Sequence, residues 1–192
     1  IELLKPILEN PAILKIGHNL KYDFQVLSRY GIRLAPMDDS CLLSFVLDGG
    51  KHNHGLDELA KRAFDHQTIP FKEVCGTGKS QITFDLVPVE KARDYAAEDA
   101  DVSLRLWQTL KPRLVTERMS TVYETLERPL ISVLSDMEAT GIKVEADVLR
   151  RMSGDFAQRS AQLEDEIYQL AGREFTIGSP KQLGEILFGD MG

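Results

Sequence analysis

The apolar residues change period once along this chain, at Pro88, and that change limits the folds open to it. Before Pro88, short apolar runs alternate with helical stripes; after it, apolar residues recur at helical spacing almost without interruption. The pattern predicts a helix-rich α/β body followed by a nearly all-helical one. In the first part, Ile1, Leu3, Leu4, Ile7 and Leu8 form a helical stripe closed by Asn10-Pro11, and Ala12 to Gly17 reads as a buried strand. Asn19 is expected to cap a helix from about Leu20 to Tyr30, with Gly31 just past its end. Ile32 to Leu34 reads as another short strand. Asp39 followed by SCLLSFVL reads as a helix stopped by Gly49-Gly50, and Leu56 to Phe64 as one more. Asp65 to Val87 is the longest irregular stretch. In the second part, Val89 to Leu110 and Pro129 to Thr140 are helical and Ile142 to Val144 is extended. Ala146 to Ala171 is a long helix closed by Gly172, and Ser179-Pro180 opens a last helix to Phe188. A division is expected between Pro112 and Pro129, giving segments 1–118 and 119–192.

Charge and cysteine usage narrow the function. The 23 Lys and Arg face 30 Asp and Glu, a net charge of −7. That argues against coating nucleic acid by charge alone, since phosphate binding runs on cationic side chains. It leaves open an enzyme that meets phosphates through bound cations. No run approaches the ~18 apolar residues of a membrane span, and no secretory leader opens the chain. Cys41 and Cys75 have no CxxC spacing, so a disulfide framework and a structural zinc site are both disfavoured and a reducing cytosol fits. Beginning at Ile1 inside a helical stripe, without Met, the chain reads as a piece of something longer.

The densest chemistry is Asp94-Tyr95-Ala96-Ala97-Glu98-Asp99-Ala100-Asp101, within a helix. Tyr95 and Asp99 are i and i+4 and share a face, while Asp94, Glu98 and Asp101 point elsewhere. A carboxylate there can hold a hard divalent cation while the phenol positions water or a phosphate; the plainer reading is a solvated acidic face. The second candidate is Gly17-His18-Asn19-Leu20-Lys21-Tyr22-Asp23, at the turn from strand to helix, where α/β enzymes place their chemistry. Here the plainer reading is an Asn cap and a surface Asp. Gly78-Lys79-Ser80 fails as a phosphate loop, because Glu73 stands where Gly is required. Asp99-x-Asp101-x-Ser103 fails as a calcium loop, because Leu104 replaces the turn Gly. His52 and His54 read as a solvated turn and Trp107 as core. Lys111, Arg113, Arg118, Arg150 and Arg151 are candidates for DNA backbone contact or for solvated helix faces.

Taken together, KIGHNLKYD, DSCLLSFVL, GLDELAKRAF, IPFKEVCGTGKSQITF and DYAAEDADVSLRLW resemble the 3′–5′ proofreading exonuclease domain of the bacterial DNA polymerase I family (family A). ERPLISVLSDMEATGIKVEADVL and FTIGSPKQLGEILF look like the opening of that family's polymerase domain, so the resemblance spans the chain. It implies a truncated RNase H-like exonuclease fold followed by the all-helical start of the polymerase domain. It implies two-metal hydrolysis at single-stranded DNA 3′ ends, with Mg²⁺, Mn²⁺ or Zn²⁺, in a bacterial, cytoplasmic and nucleoid-associated protein. Carried over by residue, Asp23 and Asp99 would be metal ligands and Tyr95 would orient the attacking water. His18, Asn19 and Tyr22 would sit beside the terminal nucleotide, and Phe71 would touch a base. His18 departs from the glutamine expected there.

The family's first motif, Asp-x-Glu on a leading strand, is expected upstream of Ile1. The two-metal site would then be incomplete, the fragment weak or inactive as a nuclease, and the strand at 12–17 left with an open edge and uncovered apolar faces through which copies could associate. The alternative is a non-catalytic DNA-binding or scaffold module with a degenerate exonuclease fold. A related RNA-trimming exonuclease is a third reading, disfavoured by the polymerase-like tail.

Overall fold

In the computed structural model, which describes residues 1–192, the apolar run at 12–17 forms a strand only over Lys15–Gly17 (β1), after a single helical turn, Lys5–Leu8 (α1). A Cβ on Gly17 would lie 2.4 Å from Leu20 Cδ2, so the strand can end tightly against the next helix, Leu20–Ser28 (α2), only because residue 17 has no side chain. Gly31, with φ +68°, lets the chain reverse behind α2, where Ile32 N donates to Leu27 O at 3.2 Å.

Two expectations fail here. Ile32 and Leu34 are buried, but as the reversal that closes α2, not as a strand. The second strand is Met37–Asp39 (β2), parallel to β1, with Lys15 opposite Met37 and Gly17 opposite Asp39. Asn19 does not cap α2 either. It adopts φ 58°, ψ 44°, a left-handed conformation Asn tolerates, and its side chain makes no cap bond. The cap comes from Asp39, whose carboxylate accepts from Asn19 N (3.0 Å) and Leu20 N (2.8 Å). The same carboxylate accepts from Cys41 N (2.8 Å) and Leu42 N (3.4 Å), capping its own helix, Ser40–Asp48 (α3).

Leu56–Phe64 (α4) and Val89–Leu110 (α6) have the limits expected from the sequence. Between them lies Phe71–Cys75 (α5), too short to show a period, and Gly78–Ser80 is one 3₁₀ turn. The core forms where Val102, Leu106 and Leu110 of α6 meet Leu43 and Leu47 of α3 and Leu59 and Ala60 of α4. Arg113–Thr116 (α7) adds Leu114 to it, and Tyr123 joins from the segment Ser120–Val122 (α8) and Tyr123–Glu127, which runs on into Arg128–Thr140 (α9).

The chain divides into two compact units, Ile1–Gly141 and Ile142–Gly192. The first thus runs past the 118/119 division expected from the sequence, because Tyr123 is buried in the core and α9 packs on α2. The second holds Ala146–Ala171 (α10), closed by Gly172 at φ +70°, and Pro180–Glu185 (α11), capped by Ser179 Oγ, which accepts from Gln182 N at 3.4 Å. Tyr168 packs edge-on against Phe175, 6.0 Å between ring centres. No helix is long and apolar enough to cross a membrane.

One ion pair carries a pH signature. Arg113 grips Asp48 at the end of α3 through Nη1–Oδ2 (2.9 Å) and Nη2–Oδ1 (3.2 Å). Those bonds hold the Asp48 carboxyl down at about 2 against the opposing effect of burial, with Lys51 adding to them. The folded value lies below the unfolded value of ~3.9, so the stabilisation is full above about pH 4 and fades as pH falls towards 2. With Arg113 a third exposed, Asp48→Asn should cost about 1–2 kcal/mol at pH 7. In urea titrations the difference from the parent chain should be mostly gone at about pH 2 and vanish only by about pH 1, below both values.

Candidate active site

The turn after β1, the first turn of α4 and the middle of α6 surround a cavity of about 440 Å³. His18, Asn19 and Asp23 come from the turn and α2, Asp57 from α4, and Tyr95, Asp99 and Ser103 from α6. Helical spacing puts Tyr95 and Asp99 on one face of α6, as expected, and the strand-to-helix turn and α2 bring Asn19 and Asp23 to the same cavity.

Electrostatics bind these groups together. The Asp99 carboxyl is pushed above the usual range by desolvation first, then by Asp57 and Glu98, with the Tyr95 phenol opposing. Asp23 is also raised, by desolvation and then Asp39, with its own backbone opposing. Desolvation and the negative charge of Asp99 and Asp57 drive Tyr95 up to about 12, so its phenol keeps its proton at neutral pH. His18 is lowered by burial, against Asp39 and the His54 backbone. Ser40 Oγ donates to Gly17 O at 3.0 Å and so accepts from His18 Nδ1 at 2.9 Å, which places the neutral ring's proton on Nδ1.

The remaining acids of the α6 run serve the frame. Glu98 accepts from Ile69 N (2.6 Å) and pairs with His66 Nε2 (2.8 Å), pinning the loop that leads to α5. Asp94 pairs with Arg93 and Asp101 with Arg105. Phe71 is not part of the cavity wall but adjoins it through Tyr95, its ring edge-on to that of Tyr95 (6.1 Å) and nearly parallel to Phe84 (6.4 Å). Tyr22 is 67 % exposed on α2 and takes no part in the cavity wall.

Sequence reasoning missed Asp57 and Phe84. Asp57 looks like an ordinary first-turn acid of α4. In the fold Thr68 Oγ1 donates to its Oδ1 at 2.8 Å and the residue lines the cavity. Phe84 sits in QITF with no local signal of what it packs against. The basic candidates are largely occupied within the fold: Lys111 pairs with Asp38 and Glu124, Arg113 with Asp48 and Glu117, and Arg150 with Asp147.

The residues fit a divalent cation as part of a ligand set. Asp23 and Asp99 are hard oxygen donors in one cavity, and each carboxyl is held towards its protonated form, a cost that a bound dication would relieve. No group of three or more His, Cys, Asp and Glu side chains is arranged to hold a metal ion by itself.

Fold and cavity define a class first: an α/β domain whose acids and protonated phenol gather beyond the carboxyl end of a parallel strand, the layout of an enzyme site. The sequence model of the DNA polymerase A 3′–5′ exonuclease matches residues 1–115, and the chain belongs to that family. DNA polymerase I of Rhizobium leguminosarum is 56% identical over 189 residues, 98% of this chain and 19% of that protein. DNA polymerase I of Pseudomonas aeruginosa is 41% identical, over 100% of this chain and 22% of that protein. The chain therefore spans about a fifth of the length of these relatives. Among solved structures, the polymerase domain of Pol1 from M. smegmatis in complex with DNA primer-template and dNTP matches 99% of this chain and 30% of that one, with TM-score 0.77 and 22% identity. Brucella melitensis NrnC matches 72% of this chain and 64% of that one, with TM-score 0.62 and 22% identity, a likeness of fold.

Proposed function

We propose that residues 1–118 are the proofreading exonuclease portion of a bacterial DNA polymerase I and residues 119–192 the helical start of its polymerase portion. The observation that carries this reading is the convergence of Asp23, Tyr95 and Asp99 on one cavity of a chain that belongs to the exonuclease family. The reaction is hydrolysis of the 3′-terminal phosphodiester of single-stranded DNA. A divalent cation, Mg²⁺ or Mn²⁺ by the hard-oxygen preference of its ligands, supplies an activated water and neutralises the leaving oxygen when bound. Asp23 and Asp99 would hold it. The Tyr95 phenol, protonated at neutral pH, orients the attacking water by hydrogen bonding. Asn19 and His18 border the terminal nucleotide, and Phe71, with Phe84 behind it, offers an aromatic face to an unstacked base. Tyr22, outside the wall, contacts the strand as it leaves the cavity.

Two carboxylates are a small ligand set for a pair of dications, so the chain by itself cuts slowly. The expected result is slow 3′ shortening of labelled single-stranded DNA in Mg²⁺ or Mn²⁺ by this chain, and fast shortening once a strand bearing Asp-x-Glu is added at its N-terminus. DNA binding without shortening by both forms would favour a scaffold role instead. Such a protein works at the bacterial nucleoid, in the cytoplasm. The edge of β1 away from β2, with Leu3, Leu4, Ile13 and Leu14 exposed nearby, supports self-association of the isolated chain. Light scattering should give more than one chain's mass; a monomer with no concentration dependence would remove that part of the proposal.

A further inference from the structure

Residues 120–140 fall beyond the proposed end of the exonuclease portion at residue 118, yet they are built into the frame of the cavity. Tyr123 is fully buried, at 0% exposure. Its hydroxyl accepts from Asp39 N at 3.0 Å and donates to Asp38 Oδ1 at 3.2 Å. Asp38, 1% exposed, also takes Trp107 Nε1 (2.8 Å), Lys111 Nζ (2.8 Å) and Arg128 Nη1 (3.2 Å). Glu124 joins the same two cations, at 2.7 Å from Lys111 and 2.8 Å from Arg128. No buried side-chain N or O lacks a partner, so this network is complete, and removing one member strands the others in a low-dielectric interior.

The network ends one residue from the cap. Asp39, whose N–H is held by Tyr123, is the residue whose carboxylate fixes Asn19 N and Leu20 N at the start of α2, the helix that carries Asp23. We propose that Tyr123 is a positioning residue for the candidate active site, holding β2 in register so that Asp39 sets the Asn19–Asp23 turn. The proposal rests on reading Asp23 as part of the site. It makes a segment beyond residue 118 a working part of the exonuclease frame, because phenylalanine at 123 would fill the same space but leave Asp39 N–H without an acceptor.

Tyr123→Phe should be compared with Leu114→Val, which thins the same core without touching the network. In the 192-residue chain, backbone hydrogen exchange at Asn19 and Leu20 should quicken about tenfold in Tyr123→Phe and stay at the parent's rate in Leu114→Val. In the form carrying the added Asp-x-Glu strand, Tyr123→Phe should lower kcat about tenfold with KM within about twofold, as expected when a remote change displaces a reacting group slightly without loss of substrate binding. Equal exchange at Asn19 and Leu20 in the two variants would overturn the proposal, as would full kcat in Tyr123→Phe. If exchange responds to Tyr123 while no form cuts DNA, the positioning role stands and the exonuclease reading falls.

Discussion

Asp99→Ala should slow 3′-terminal hydrolysis by at least ~10²-fold, the scale lost when an electrostatic element of a transition state is removed. Three features of the site make this a loss of chemistry and not of folding or binding. First, the Asp99 carboxyl is held above its usual range by desolvation and by Asp57 and Glu98, so its ionised form burdens the folded chain at neutral pH. Removing it should leave thermal stability equal or slightly higher. Second, the cavity is acidic, so taking away one carboxylate reduces repulsion of phosphates, and DNA binding without divalent cations should be equal or tighter. Third, Tyr95 remains, so the residual rate should still respond to Tyr95→Phe. In the parent background Tyr95→Phe alone should cost about tenfold, the scale of one lost hydrogen bond of ~1–1.5 kcal/mol. Quench-flow or gel kinetics, anisotropy and melting curves separate the three quantities. A variant that loses binding or unfolds, instead of losing rate, would place Asp99 in the frame.

Asp39→Ala should cost about 2–4 kcal/mol in urea unfolding. The carboxylate accepts from four backbone amides at the starts of two helices, Asn19, Leu20, Cys41 and Leu42. A helix cap is worth roughly 0.5–2 kcal/mol, and a buried donor left unpaired costs ~1–3 kcal/mol, so two caps lost together reach that range after partial relaxation. Asp39→Asn keeps one acceptor oxygen and should cost less than half as much. A loss under about 1 kcal/mol for Asp39→Ala would mean that water replaces the carboxylate at both helix starts, and the Tyr123 network would then have nothing to transmit.

The contrast between what the sequence conveyed and what it did not follows from range. The limits of α4, α6 and α10 were legible because each carries a sustained period and has a Gly or Pro breaker beside at least one end: Gly55 before α4, Pro88 before and Pro112 after α6, and Gly172 after α10. Tyr95 and Asp99 were legible as neighbours because helical spacing alone puts them on one face. Asn19 misled because a local cap preference cannot register a better acceptor 20 residues away. Ile32 and Leu34 misled because burial without periodicity looks the same in a strand and in a helix reversal. The bond between Tyr123 and Asp38 spans 85 residues, and nothing local in either segment announces it. Asp57 is the instructive omission, since only the fold distinguishes a first-turn acid facing solvent from one facing a cavity.

Mn²⁺ titration of the chain, followed by water-proton relaxation, bears most directly on whether Asp23 and Asp99 share a cation. The expected result is weak binding by the 192-residue chain that is lost in Asp23→Ala and, separately, in Asp99→Ala, and that is unchanged in Asp101→Ala, whose carboxylate pairs with Arg105 away from the cavity. The same Mn²⁺ affinity in all four proteins would contradict it, leaving the cavity without the ligand pair on which the exonuclease chemistry depends.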